Sequence, residues 1–75
     1  MQVTTSFFGP IKKPRVQGPV QLPEGALVAD LLAVLGYPKH HWNGILVLRN
    51  QRRLSVSDNL QDGDAVELTI RVGGG

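Results

Sequence analysis

A single helical stripe is the strongest constraint in this sequence. In "LPEGALVADLLAVLGYP", Val28, Leu31, Leu32 and Leu35 fall at i, i+3, i+4 and i+7. That spacing puts four apolar side chains on one side of a helix. Gly36 then supplies the left-handed residue that ends helices, and Pro38 blocks continuation. The start is weaker. Pro23, Glu24 and Gly25 turn the chain, but Ala26 and Leu27 carry no capping oxygen, an omission worth about 1 kcal/mol. A lone stripe cannot bury itself; it needs a sheet face to lie on.

The rest of the chain reads as that sheet. In "VTTSF", Val3, Thr5 and Phe7 point one way, and Thr4, Ser6 and Phe8 the other. "FGPIKKP" breaks the alternation with Gly9, Pro10 and Pro14. "RVQGPVQL" resumes it through Val16, Val20 and Leu22, and Pro19 removes a ladder donor, so this strand belongs at a sheet edge. "GILVL", Gly44 to Leu48, is a continuous apolar run, so its facing is ambiguous. "RNQRR" is a polar turn, and Leu54 and Val56 are expected to form a short extra strand. Asp62-Gly63 signals a turn into "DAVELTIRV", where Val66, Leu68, Ile70 and Val72 point inward and Glu67, Thr69 and Arg71 outward. The order is β-β-α-β-(β)-β, an α+β roll of about four or five strands on one main helix.

Seventy-five residues make one small domain, with about 60% of the unfolded surface buried. With 41% hydrophobic and 19% charged residues, the chain suits an ordinary globule rather than a disordered one. No apolar run approaches a membrane span, so no membrane partner is expected. No secretion signal is expected from "MQVTTSFF". The absence of cysteine excludes disulfides, thiolate metal sites and a cysteine nucleophile, and a cytoplasmic location is expected. Net charge is +2, too mild to choose a partner.

The last strand runs into "VGGG". Two adjacent terminal glycines arise by chance in roughly one chain in 200, so idle fraying is a poor account of them. That ending, the helix segment "LPEGALVADLLAVLG" and the turn "LQDGDAVEL" together resemble the β-grasp sulfur carriers: the small subunit of molybdopterin synthase (MoaD) and the thiamin sulfur carrier (ThiS). More distantly the chain is similar to ubiquitin. The resemblance spans essentially the whole chain, and the turn and strand before the glycine end are its most specific part. There are two departures. Leu27 stands where the family usually has a threonine cap, and "LRNQRRL" lacks the usual Val-Asn-Gly turn.

The resemblance implies a β-grasp (ubiquitin-like) domain over residues 1–72 and a flexible tail over 73–75. Its mixed sheet would have the first and last strands as parallel central neighbours. It implies a carrier rather than an enzyme, with the small subunit of a sulfur-transferring synthase as the alternative description. The working group would be the Gly75 carboxylate, adenylated by a ubiquitin-activating-like partner and converted to a thiocarboxylate. Gly73 and Gly74 would thread the tail into a partner's active site. Three extended residues reach roughly 10 Å, and glycine has no Cβ to meet the channel walls. No bound cofactor is expected; ATP and a sulfur donor would act through the partner. The sulfur would pass to an acceptor synthase subunit, in molybdopterin or thiamin biosynthesis or a related pathway. Phe8, Ile45, Val47 and Arg71 are the expected docking surface, with Ile45 and Val47 included if Leu46 and Leu48 face the helix.

Other features read as structure. His40, His41 and Trp42 lie together, yet adjacent histidines without a neighbouring carboxylate or cysteine do not make a metal site. They read as a solvated loop with Trp42 packed on the fold. Asp62 and Asp64 flank a turn glycine and read as turn residues, not an acid–base pair. Lys12, Lys13 and Arg15 form one basic cluster, and Arg49, Arg52 and Arg53 another; both read as solvated faces. No stacking aromatics are interleaved with them, so nucleic acid is not an expected partner. Two other functions remain open: a ubiquitin-like modifier of proteins, and a passive β-grasp module that binds RNA or protein.

Overall fold

The computed structural model describes residues 1–9 and 18–70. The first basic cluster (Lys12, Lys13, Arg15), Arg71 and Gly73 to Gly75 lie outside the described residues. Five strands and one α-helix follow in order: β1 (Gln2–Phe7), β2 (Gly18–Gln21), α1 (Val28–Leu35), β3 (Ile45–Arg49), β4 (Arg52–Leu54) and β5 (Ala65–Ile70). A 3₁₀ helix, Lys39–Gly44, leads into β3. The strands form one mixed sheet in the order β2-β1-β5-β3-β4. β1 and β5 are parallel neighbours, and every other pairing is antiparallel. β2, which carries Pro19, is an edge strand as its missing donor requires.

Alternation decides which side of the sheet the helix covers. Val3, Val66 and Leu68 are almost fully buried on the inner side, beside Val20 and Val47. Val28, Leu31, Leu32 and Leu35 of α1 close over them in the same cluster. Burying each such side chain stabilises by about 1.5–3 kcal/mol, which makes this one layer the main support of the fold. Val56 does not extend the sheet. β4 stops at Leu54 and Val56 is exposed, because Ser55 to Asp58 fold into a turn closed by the Ser55 N–H on the Asp58 carboxylate (2.7 Å).

The helix ends as its sequence indicates. Gly36 adopts φ 95°, and the Gly36 and Tyr37 N–H groups donate to the carbonyls of Ala33 (3.1 Å) and Leu32 (3.0 Å). Its start uses a substitute for the missing cap. The Val28 N–H donates to the Asp58 carbonyl (2.9 Å) and the Ala29 N–H to the Val56 carbonyl (3.0 Å). Two orphan donors of the first turn are thus met by backbone from the loop after β4. The Asp30 carboxylate reaches back to accept the Leu27 N–H at 2.8 Å.

The Asp62-Gly63-Asp64 corner aligns the two central strands. Asp62 Oδ1 accepts the Gln2 N–H (2.7 Å). The Gly63 N–H, at φ 87°, donates to the Gln2 carbonyl (2.8 Å). Asp64 Oδ2 accepts both the Gln61 N–H (2.8 Å) and Arg49 Nη1 (2.9 Å). The Asp64 carbonyl accepts the Thr4 N–H at 2.8 Å. Both aspartates therefore serve the turn, and Arg49 leaves the second basic cluster to join it.

Candidate functional site

β5 lies in the middle of the sheet and carries the chain to residue 70 between β1 and β3. Its last residue, Ile70, lies level with Ile45 at the start of β3 and just past the end of β1. Five register pairings define the surface there. Ser6 lies opposite Glu67, and Phe7 opposite Leu68. Leu46 lies opposite Thr69, and Leu48 opposite Glu67 on one side and Arg53 on the other. Since Leu68 faces the helix, Glu67 and Thr69 face outward, and so do the residues level with them.

Phe8 continues the parallel ladder by one step, its N–H donating to the Leu68 carbonyl at 3.1 Å. It is 44% exposed and on the outer side, where the docking reading put it. Gly9 follows at φ +71°, and a Cβ there would stand 2.8 Å from Thr69 Oγ1. The chain thus folds down onto Thr69, which explains why an outward threonine is only 7% exposed.

The other two docking residues in this region are corrected. Val47 is 2% exposed and part of the core, and Ile45 packs against that core from the helix side. The cause is register: Val47 pairs with Leu68 and Ile45 with Ile70, both inward-facing. A strand shifted by one residue would present the opposite set, so Leu46 and Leu48 are the outward pair, half-buried on the open face. The alternation of β5 was readable, but its pairing with β3 was not, and only the pairing orients an all-apolar run. The outer face near the end of β5 therefore has an apolar centre of Phe8, Leu46 and Leu48. Glu67 and Arg53 flank it with opposite charges.

The loop histidines are exposed on the 3₁₀ helix, their rings edge to face at 4.3 Å. Trp42 is half-buried, and its Nε1 donates to the Tyr37 carbonyl at 2.9 Å. Among the described residues, no group of three or more His, Asp or Glu gathers to hold a metal ion. No helix among them is long and apolar enough to cross a membrane.

A mixed sheet with parallel first and last strands, wrapped over one helix, defines a β-grasp protein. The model of the ThiS family matches residues 7–75. The chain therefore belongs to the ThiS family, a class of small sulfur carriers in cofactor biosynthesis. No curated protein matches. Among solved structures, a chain of the protein–protein complex of subunits 1 and 2 of molybdopterin-converting factor from Helicobacter pylori 26695 is similar. It shares 26% identity at a TM-score of 0.65, with 100% of each chain covered. That neighbour is itself part of a two-subunit assembly.

Proposed function

We propose that this protein carries sulfur as a thiocarboxylate on the terminal carboxylate of Gly75. The observation that carries the reading is the family match, which runs through the glycine end to residue 75. The fold supports it, because the strand leading to that end is the central strand, anchored on both sides. A carboxylate resists attack because resonance and charge both repel a nucleophile. A ubiquitin-activating-like partner would transfer AMP from ATP to the Gly75 oxygen and release pyrophosphate. A sulfide-level donor then forms the C–S bond as the C–O bond to AMP breaks. The resulting –COS⁻ is a better nucleophile than the carboxylate it replaces. Gly75 is the group delivered, and Gly73 and Gly74, having no Cβ, leave the end narrow enough to enter a partner's site. Positioning the sulfur against its acceptor supplies much of the rate. This chain is then the tethered reactant, and the catalytic groups belong to its partners.

The docking surface is the outer face of the sheet. Phe8, Leu46 and Leu48 provide its apolar centre, Glu67 sets its orientation, and Arg71 is a further contact. The acceptor is a synthase subunit, as the two-subunit neighbour suggests, in the molybdopterin or thiamin pathway or a related one. Intact-mass measurement after incubation with ATP, the activating enzyme and a sulfide source tests the chemistry. The expected result is a gain equal to one oxygen replaced by sulfur, lost on removal of Gly74 and Gly75. An unchanged mass with an enzyme that adenylates the protein would overturn the sulfur step.

A further inference from the structure

The second edge of the sheet, β4, borders the outer face at Arg53 but is built differently. The Asn50-Gln51 turn has two residues, with Arg49 and Arg52 paired across its base. In such a hairpin the pair flanking the turn exchanges hydrogen bonds, and the next pair points its backbone groups away from each other. That next pair is Leu48 and Arg53. The Arg53 N–H and C=O therefore face the free edge, where no described group takes them up. One step further, the edge is closed by the Ser55–Asp58 turn.

A groove runs along this edge. Trp42, Ile45, Leu54 and Val56 form its apolar wall, and a second hollow that shares Arg53, Leu54 and Asp58 with it reaches Arg52. Its rim is basic. Arg52 and Arg53 are exposed and make no ion pair among the described residues. Arg49 is held by Asp64, while the Asp58 carboxylate is bound to the Ser55 N–H. Glu67 sits on the outer face with Leu48 between it and Arg53. Short edge strands carrying cations resist pairing with copies of themselves. The same cations favour an edge partner of opposite charge.

We propose that the β4 edge is a second docking site that takes one extended, acidic segment of a partner protein as an added strand. The segment's backbone bonds to Arg53, an apolar side chain enters the groove beside Trp42 and Leu54, the carboxylates on either side of it meet Arg53 on the outer face, and Arg52 adds its charge from the groove side. This is strand addition with side-chain selection. A peptide fits better than a nucleic acid, because the edge offers backbone pairing and an apolar wall whose one ring, Trp42, is half-buried. The site is independent of the sulfur chemistry.

The test is an amide-resolved NMR titration of the full chain with a short capped peptide of alternating valine and glutamate. Shifts are expected at Arg53, Leu54 and the Trp42 indole, with slowed exchange of the Arg53 amide. The same peptide with lysine for glutamate should not bind. The double variant Arg52→Glu/Arg53→Glu should lose at least about tenfold in affinity for the glutamate peptide and gain binding of the lysine peptide. That gain cannot come from a variant that merely unfolds. Four results would each overturn the proposal: no shifts at about millimolar peptide, shifts on Phe8, Leu46 and Leu48 instead, equal binding of the lysine peptide, or tighter binding of a short oligouridylate at the same amides.

Discussion

Two turns in this molecule solve one geometric problem with different residues. Asp62-Gly63-Asp64 leads into the central strand β5, and Asn50-Gln51 joins β3 to the edge strand β4. At the first, the left-handed position is Gly63, at φ 87°, and both aspartates hold neighbouring N–H groups. At the second, both central residues are left-handed, with Asn50 at φ 53° and Gln51 at φ 66°. That is the type I′ hairpin turn, which favours Asn then Gly. Asparagine tolerates the conformation; glutamine has a Cβ that opposes it. The corner that aims β5 toward the glycine end is thus built without strain. The turn at the sheet edge retains strain that one glycine would remove.

The largest effect should come from the corner. Asp64→Ala removes the acceptor for Gln61 and for Arg49, which are 2.8 and 2.9 Å away. The side chains of Asp64 and Arg49 are only 15% and 30% exposed, so the charged hydrogen bond is not a surface ion pair. A loss of about 2 kcal/mol is expected, read as a lower urea midpoint. A loss below about 0.5 kcal/mol would mean that backbone bonds alone hold the corner.

The turns can next be exchanged in character. A Cβ at Gly63 meets nothing within 4 Å, so Gly63→Ala isolates the backbone conformation and should destabilise by about 1–2 kcal/mol. Gln51→Gly should do the reverse. Relief of the left-handed Cβ outweighs the added freedom of glycine in the unfolded chain, for a gain of roughly 0.5–1 kcal/mol. If both substitutions destabilise, the contrast between relaxed corner and strained hairpin is wrong, and the Gln51 side chain contributes something that backbone angles do not reveal.

The same contrast separates what was legible in the sequence from what was not. The helix stripe, the Gly36 stop, the Pro19 edge and the Asp-Gly turn each follow from a local rule, and the structure keeps all four. The facing of Ile45 to Leu48 has no local rule. Every residue there is apolar, and only the distant alternation of β5, met across the ladder, puts Val47 in the core and leaves Leu46 and Leu48 outside. Val56 shows the limit from another side: its spacing from Leu54 fits a strand, but Asp58 closes a turn that turns the chain away. Chemistry at the glycine end is an expectation that rests on family resemblance, with no local rule behind it. The outer-face surface was legible only in part: alternation puts Phe8 opposite Phe7, and its exposure agrees, but Leu46 and Leu48 needed the register.

The smallest expected effect concerns Leu27, the other departure from the family pattern. A threonine at a helix start ordinarily adds about 1 kcal/mol by accepting a first-turn N–H. Here Val28 and Ala29 already donate to Asp58 and Val56, so Leu27→Thr leaves only Asp30 to serve. The substitution also removes a half-buried apolar side chain. The two terms oppose each other, and the net change should stay within about 0.5 kcal/mol. Loosening the 55–58 turn should restore the usual benefit. In an Asp58→Ala background, which lacks the acceptor for the Ser55 N–H, Leu27→Thr should stabilise by about 1 kcal/mol. Equal effects in both backgrounds, measured as a double-mutant cycle, would show that the loop carbonyls do not act as the cap and that Leu27 is tolerated for its packing alone.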